Sequence, residues 1–353
     1  SAPGSLLSAG GALSLTSTLG DIGVDQLDGN DIVITAAGAV SVEHADAVND
    51  FTASGASFRT GLNSIITGGD ILVSSPGAVD LGNSTAGGFV QANGQSILFN
   101  TIGAGGSVSL TATGNTAGAE GITGGSIDAG GSINLNATRI DIAGTLTTAG
   151  SLFAVGSAGS VAIALAEVED DISIFADGDL SGTYNAEGNI NLTSTANINA
   201  SANATGFESS SSGPPIASSV LINAGGDVNL NDNSATGMFG VNAGGAVTMA
   251  GGDIGEDLLV LAGTIATISD VTAGDDVTIT APDGILASGV VTSGSGPDDR
   301  SLIFAPFSPS SPAMFQVVVS PPDQSNIALT AAAGDITASN LNAAANLTAA
   351  ASG

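Results

Sequence analysis

The chain has 353 residues, of which 42% are hydrophobic and 52 are glycine, with no cysteine and no tryptophan. Its 33 Asp and Glu stand against three arginines (Arg59, Arg139 and Arg300) and no lysine, for a net charge of -30. That balance excludes a nucleic-acid partner, which needs cations against phosphate, and an anionic membrane surface would repel the chain. The apolar fraction excludes a disordered acidic tail, and the missing cysteines exclude a disulfide scaffold.

In chain order, the start SAPGSLLSAGG lacks a charged n-region and a long apolar core, as if a leader was removed or the chain is a piece of a longer one. No run approaches the roughly 18 apolar residues of a spanning helix. From residue 9 a short pattern recurs: AGGALSLTS at 9–17, GNDIVITAA at 29–37, GGDILVSS at 68–75, AGGSVSLTA at 104–112 and AGGSINLNATRIDIAG at 129–144. It continues as AEGNINLTS at 186–194, NAGGDVNLN at 223–231, NAGGAVTMA at 242–250, AGDDVTITA at 273–281 and AAGDITAS at 332–339. Each copy alternates small aliphatic and polar residues, the period of a strand.

The first apolar residue after each glycine marks the repeat: Leu13, Ile32, Ile71, Val108, Ile133, Ile190, Val228, Val247, Val277 and Ile336. Seven of the nine gaps lie within two of a multiple of 19, and Phe51, Phe89, Leu152 and Ile172 fill the wider ones. Helical repeats and propeller blades need roughly 33 residues or more, whereas about 19 suit one turn of a parallel β-helix. In 129–144 the apolar positions pass from odd (Ile133, Leu135) to even (Ile140, Ile142) across Ala137-Thr138-Arg139, which predicts a corner there. The glycine before each marker is expected to supply φ > 0 at a corner, with Asn and Asp as the next most tolerant residues. The expectation is one all-β, right-handed parallel β-helix (β-solenoid) over 1–353, with 17 or 18 rungs of about 19 residues.

The recurring A-G-G-[DSN]-[IV]-x-L-x-A, followed by I-x-I-x-G, resembles the shaft repeats of filamentous-haemagglutinin-type adhesins, bacterial exoproteins of the two-partner-secretion kind. The resemblance implies export to the cell surface and a role in adhesion or matrix building. The chain departs from that family in lacking a counterpart of its N-terminal secretion domain and any Arg-Gly-Asp: Arg59 precedes Thr-Gly and Arg300 precedes Ser-Leu.

Signals for catalysis are sparse. His44 is the single histidine, so a Ser-His-Asp site would depend on it alone. Lyase chemistry wants Lys or Arg beside acids, and sugar-cleaving grooves want aromatic platforms, which 3% aromatic residues hardly supply. The chain is therefore expected not to be an enzyme. The acids suit cations better. EDDISIFADGDLSG carries Asp170, Asp171, Asp177 and Asp179; GGDIGEDLLV carries Asp253 and Asp257; AGDDVTIT carries Asp275 and Asp276. Beside glycines at rung corners, these acids either cap backbone N–H groups or bind a divalent cation, calcium being the cofactor considered. GGDIGEDLL is one residue from a calcium-binding nonapeptide.

Two stretches interrupt the period. Residues 206–219 read as a Ser/Pro-rich surface loop. Residues 293–326 hold six of the eleven prolines, and LIFAPF and MFQVVV are too apolar for a free linker. This second stretch reads as a hairpin on the solenoid flank or as a contact surface for a subunit or ligand, through Phe304, Phe307, Met314 and Phe315. The functional expectation is an extracellular structural or adhesive protein: a shaft or fibre subunit of a bacterial surface adhesin or biofilm matrix, self-associating end to end, with surface glycans or other cells as further partners. The alternatives are a cation-stabilised surface-layer protein, a carbohydrate-processing β-helix and a phage spike.

Overall fold

The computed structural model describes residues 6–61, 64–114, 121–208, 216–294, 301–304, 315–318 and 325–352, the fourth and fifth of these stretches being followed by 295–300 and 305–314, which lie outside the description. Every regular element among the described residues is a strand. The chain is a β-solenoid of parallel stacked coils, and it divides into two compact units, Ser1–Glu169 and Asp170–Gly353.

One coil of the first unit shows how the sequence winds. Ile133–Ala137 is a five-residue strand, residues 138 and 139 turn, and Ile140–Thr148 is a nine-residue strand. Ile133, Leu135 and Ala137, then Ile140, Ile142 and Leu146, point inward and are at most 1% exposed. The change of phase in AGGSINLNATRIDIAG is thus a corner, as expected. The long strand bends once more, its register against Val161–Val168 shifting between Ile142 and Thr145, around Gly144. Val40–Ala47 bends in the same way, its inward positions passing from Val40 and Val42 to Ala45 and Ala47 across Glu43-His44. A coil therefore has three inward legs, the last two merged in one bent strand here, and separate as Phe58–Thr60 with Ile65–Thr67 and as Ala78–Asp80 with Asn83–Ala86. A bend without a break keeps the backbone hydrogen bonds of both legs in one parallel ladder.

In the first unit the short strands run from Leu13–Ser17 to Leu152–Gly156, eight in all. Successive coils are offset by 19, 19, 20, 19, 18, 25 and 19 residues, as in Leu13↔Ile32 and Val108↔Ile133. In the second unit eight more run from Ile172–Ala176 to Asn346–Ala351, offset by 18, 30, 19, 19, 19, 50 and 20. Because the long offsets consume residues, sixteen coils form rather than 17 or 18.

Three marker assignments change. Val228, Val247 and Ile336 open the second leg, pairing with Ile198, Ala266 and Ile285; the first-leg equivalents are Val220, Phe239 and Ile327. The two legs look alike in sequence because both start with a small corner and an inward β-branched residue. Phe89 is 37% exposed, and the inward residue is Val90, fully buried between Ile71 and Val108.

The role expected of the motif glycines is also corrected. Positive φ among the described residues occurs at Gly82, Gly182, Gly251, Gly284, Gly289, Asp232, Asp270 and Asn340, and at none of the glycines preceding the markers. Those glycines are needed for space. A Cβ at Gly87 would overlap the carbonyl oxygen of Gly68 one coil below, and one at Gly105 that of Gly87. Coils at parallel-strand spacing, about 4.8 Å, leave no room for a methyl where the backbone turns against the coil beneath.

Candidate functional site

Several of the acids stand at corners, and many of these share one geometry. The residue just before a leg lies in the turn, where its backbone N–H faces the coil below instead of a strand carbonyl. The side chain at the same position of that lower coil reaches up and accepts from it. In the first unit Asp21 Oδ1 accepts from Ala39 N–H at 2.7 Å, Asp50 from Asp70 N–H at 2.9 Å, and Asp70 from Phe89 N–H at 2.9 Å. In the second unit Asp171 accepts from Asn189 N–H at 2.7 Å and Asn189 Oδ1 from Ser219 N–H at 2.9 Å. Asp257 accepts from Asp276 N–H at 3.1 Å, and Asp276 from Asn326 N–H at 2.6 Å. At the corner before the second leg, where Asp21 and Ala39 also stand, a further series runs in the second unit: Asp179 accepts from Asn197 N–H, Asn197 from Asp227 N–H and Asp227 from Ala246 N–H, at 3.2, 2.8 and 2.8 Å.

The second glycine of the motif belongs to this device. A Cβ at Gly38, Gly69, Gly88, Gly188, Gly226 or Gly245 would overlap the accepting oxygen of Asp21, Asp50, Asp70, Asp171, Asn197 or Asp227 respectively. Glycine clears the path by which the side chain below reaches the following N–H. Gly-[Asp/Asn/Ser] ahead of an aliphatic pair is the sequence signature of a cap passed from coil to coil. Asp21, Asp70 and Asp227 carry it, a recurring G-D that is legible in the sequence, whereas Asp50 follows Asn49 and makes the same cap without the signature.

Of the eight aspartates considered for cations, Asp171, Asp179, Asp257 and Asp276 are such caps. Asp177 Oδ1 accepts from Thr195 Oγ1 at 2.9 Å, and buried Asp275 accepts from Ser325 Oγ at 2.7 Å. Asp170 is exposed at a corner, and Asp253 is exposed within Val247–Ile254. Among the described residues no group of three or more His, Asp or Glu converges as a metal would require. His44 lies at the bend of Val40–Ala47 and pairs in register with Gln26.

The two interruptions both contain antiparallel pairs. Within 206–219, Phe207–Glu208 pairs antiparallel with Ile216–Ala217. Phe207 is 64% exposed and walls an open cavity of about 430 Å³ with Ser234, Thr236 and Asp253. In 293–326, Ser301–Phe304 pairs with Phe315–Val318, which sets Phe304 opposite Phe315. Phe307 and Met314 lie outside the described residues. The one tyrosine, Tyr184, is fully buried, its hydroxyl donating to Ser181 C=O at 2.7 Å, and burial pushes its pKa far above the ordinary value. It serves the core. Among the described residues no helix is long and apolar enough to cross a membrane.

Compared with family models, with curated proteins and with solved structures, the chain shows no match in any of the three.

Proposed function

We propose that this chain is an extracellular structural and adhesive protein, a shaft or fibre subunit of bacterial surface-adhesin type that self-associates end to end. The observation carrying this reading is the coil-to-coil cap. Asp21, Asp50, Asp70, Asp171, Asp227 and Asp276 each present an acceptor that the backbone of the next coil fills, so this corner chemistry serves the continuation of the stack. Repeat stacks of this kind gain stability from each neighbour added.

Thirty uncompensated charges oppose bringing copies together. Assembly is therefore expected to need divalent cations such as calcium, or enough salt to shorten the screening length to about 8 Å or less. Electron microscopy of the purified protein with calcium and with chelator tests both parts. Uniform threads that disperse in chelator are expected. Short separate particles under every condition, at concentrations up to the solubility limit, would refute the fibre reading. Threads indifferent to chelator and salt would refute the cation dependence alone.

A further inference from the structure

The charges of this chain are not spread over its strands. None of the sixteen strands of the short-strand sheet carries Asp, Glu, Arg or His, although the chain has 33 acids. The long-strand sheet does carry acids, among them Asp25, Glu43, Asp128 and Asp141.

In the first unit the outward positions of the short strands stack in two columns. One is hydroxyl and amide over six coils: Thr16, Thr35, Ser54, Ser74, Asn93 and Thr111 are register partners in sequence. The other column includes Val33, Leu72 and Phe153, with Val33 40% and Phe153 47% exposed. No register shift interrupts these pairings, whereas the long strands of the same unit shift at their bends. The face is even, uncharged and open.

We infer that this face is where a second copy of the chain seats, side by side. Side-by-side association of a chain with net charge -30 is least opposed on the surface that brings no carboxylates together. This inference is independent of end-to-end assembly. Eight strands at about 4.8 Å, six of five residues and two of four at about 3.3 Å per residue, cover roughly 600 Å² per copy. Two copies would bury roughly 1,200 Å², above the approximately 1,000 Å² a specific interface needs. Mixed hydroxyl, amide and aliphatic columns suit sheet-on-sheet packing about 10 Å apart.

Sedimentation equilibrium of the full chain at physiological salt tests the pairing. Concentration-dependent dimers are expected, weakened at least tenfold by S74E/T111E and left within about twofold by S74Q/T111Q, with far-ultraviolet circular dichroism unchanged throughout. Should the glutamate variant lose its fold, a lone cysteine serves instead in a chain that has none. Ser74→Cys is then expected to be linked into dimers by a short bismaleimide, and Thr147→Cys on the other sheet is not. A wild type monomeric at every concentration, equal association of the glutamate variant, equal loss in the glutamine variant, or linkage at Thr147→Cys in preference to Ser74→Cys would each overturn the inference. So would a monomer retained by an insoluble neutral polysaccharide, which would make that polymer the occupant.

Discussion

Replacing Gly88 by alanine tests whether the second motif glycine is present for space. Its φ is not in the left-handed region, so alanine brings no backbone strain of its own. A Cβ there would overlap Asp70 Oδ1, which accepts the Phe89 N–H at 2.9 Å. The carboxylate must swing away, and the amide loses its acceptor. That bond is solvent-exposed, so its loss costs about 1 kcal/mol, and local crowding adds about 1 kcal/mol more. Gly88→Ala is therefore expected to destabilise by about 2 kcal/mol, and Asp70→Ala alone by about 1 kcal/mol. In the Asp70→Ala background the new methyl has no carboxylate to displace. The backbone contact left is Gly69 C at 3.2 Å, close enough to offset the few tenths that alanine gains through the unfolded chain. The second step should then be near zero, and the cycle should show a coupling of about 2 kcal/mol. Urea midpoints with their slopes measure this, with hydrogen exchange at the Phe89 amide as the local reading, since stacked repeats need not unfold as one. If Gly88→Ala costs the same with and without Asp70, to within about 0.5 kcal/mol, the spatial explanation is wrong.

Tyr184, the chain's single tyrosine, gives a titration free of overlap. Burial raises its folded pKa above the ordinary value of about 10, so its contribution is complete below pH 10 and lost as pH rises toward the folded value. The loss should run at about 1.4 kcal/mol per pH unit above 10, with phenolate absorbance appearing only as the second unit unfolds; smooth ionisation near pH 10 with the fold intact would contradict the buried placement. Asp276→Ala should deprotect the Asn326 amide and cost about 2 kcal/mol, since Asp276 also accepts from Asn326 Nδ2 at 3.3 Å. Asp276→Asn, which keeps an acceptor, should recover at least half; equal exchange rates at Asn326 in wild type and alanine variant would remove the cap from the account.

Much of this architecture is legible from spacing. Leu13, Ile32, Ile71 and Ile133 mark the first leg correctly because a two-residue alternation broken by a corner leaves its phase in the sequence. The same local pattern misplaced Val228 and Val247, since first and second legs both begin small residue, polar residue, β-branched residue; only the partner across the coil tells them apart. Among the site residues, Asp171 and Asp276 were noticed as corner acids, yet their acceptor role depends on an N–H 18 and 50 residues away.

By itself, then, the sequence determined that the chain coils, with what period, and that it does so under a large negative charge, because burial of alternating aliphatics and the absence of cations are local facts. The tertiary structure decided why the glycines are glycines and what the acids hold. Both depend on the coil beneath, which lies about 4.8 Å away in space and about 19 residues away in the chain. Within the first unit it also gathered the uncharged positions into one face, since a strand shows which residues alternate but only stacking sets the outward residues of successive short strands in register.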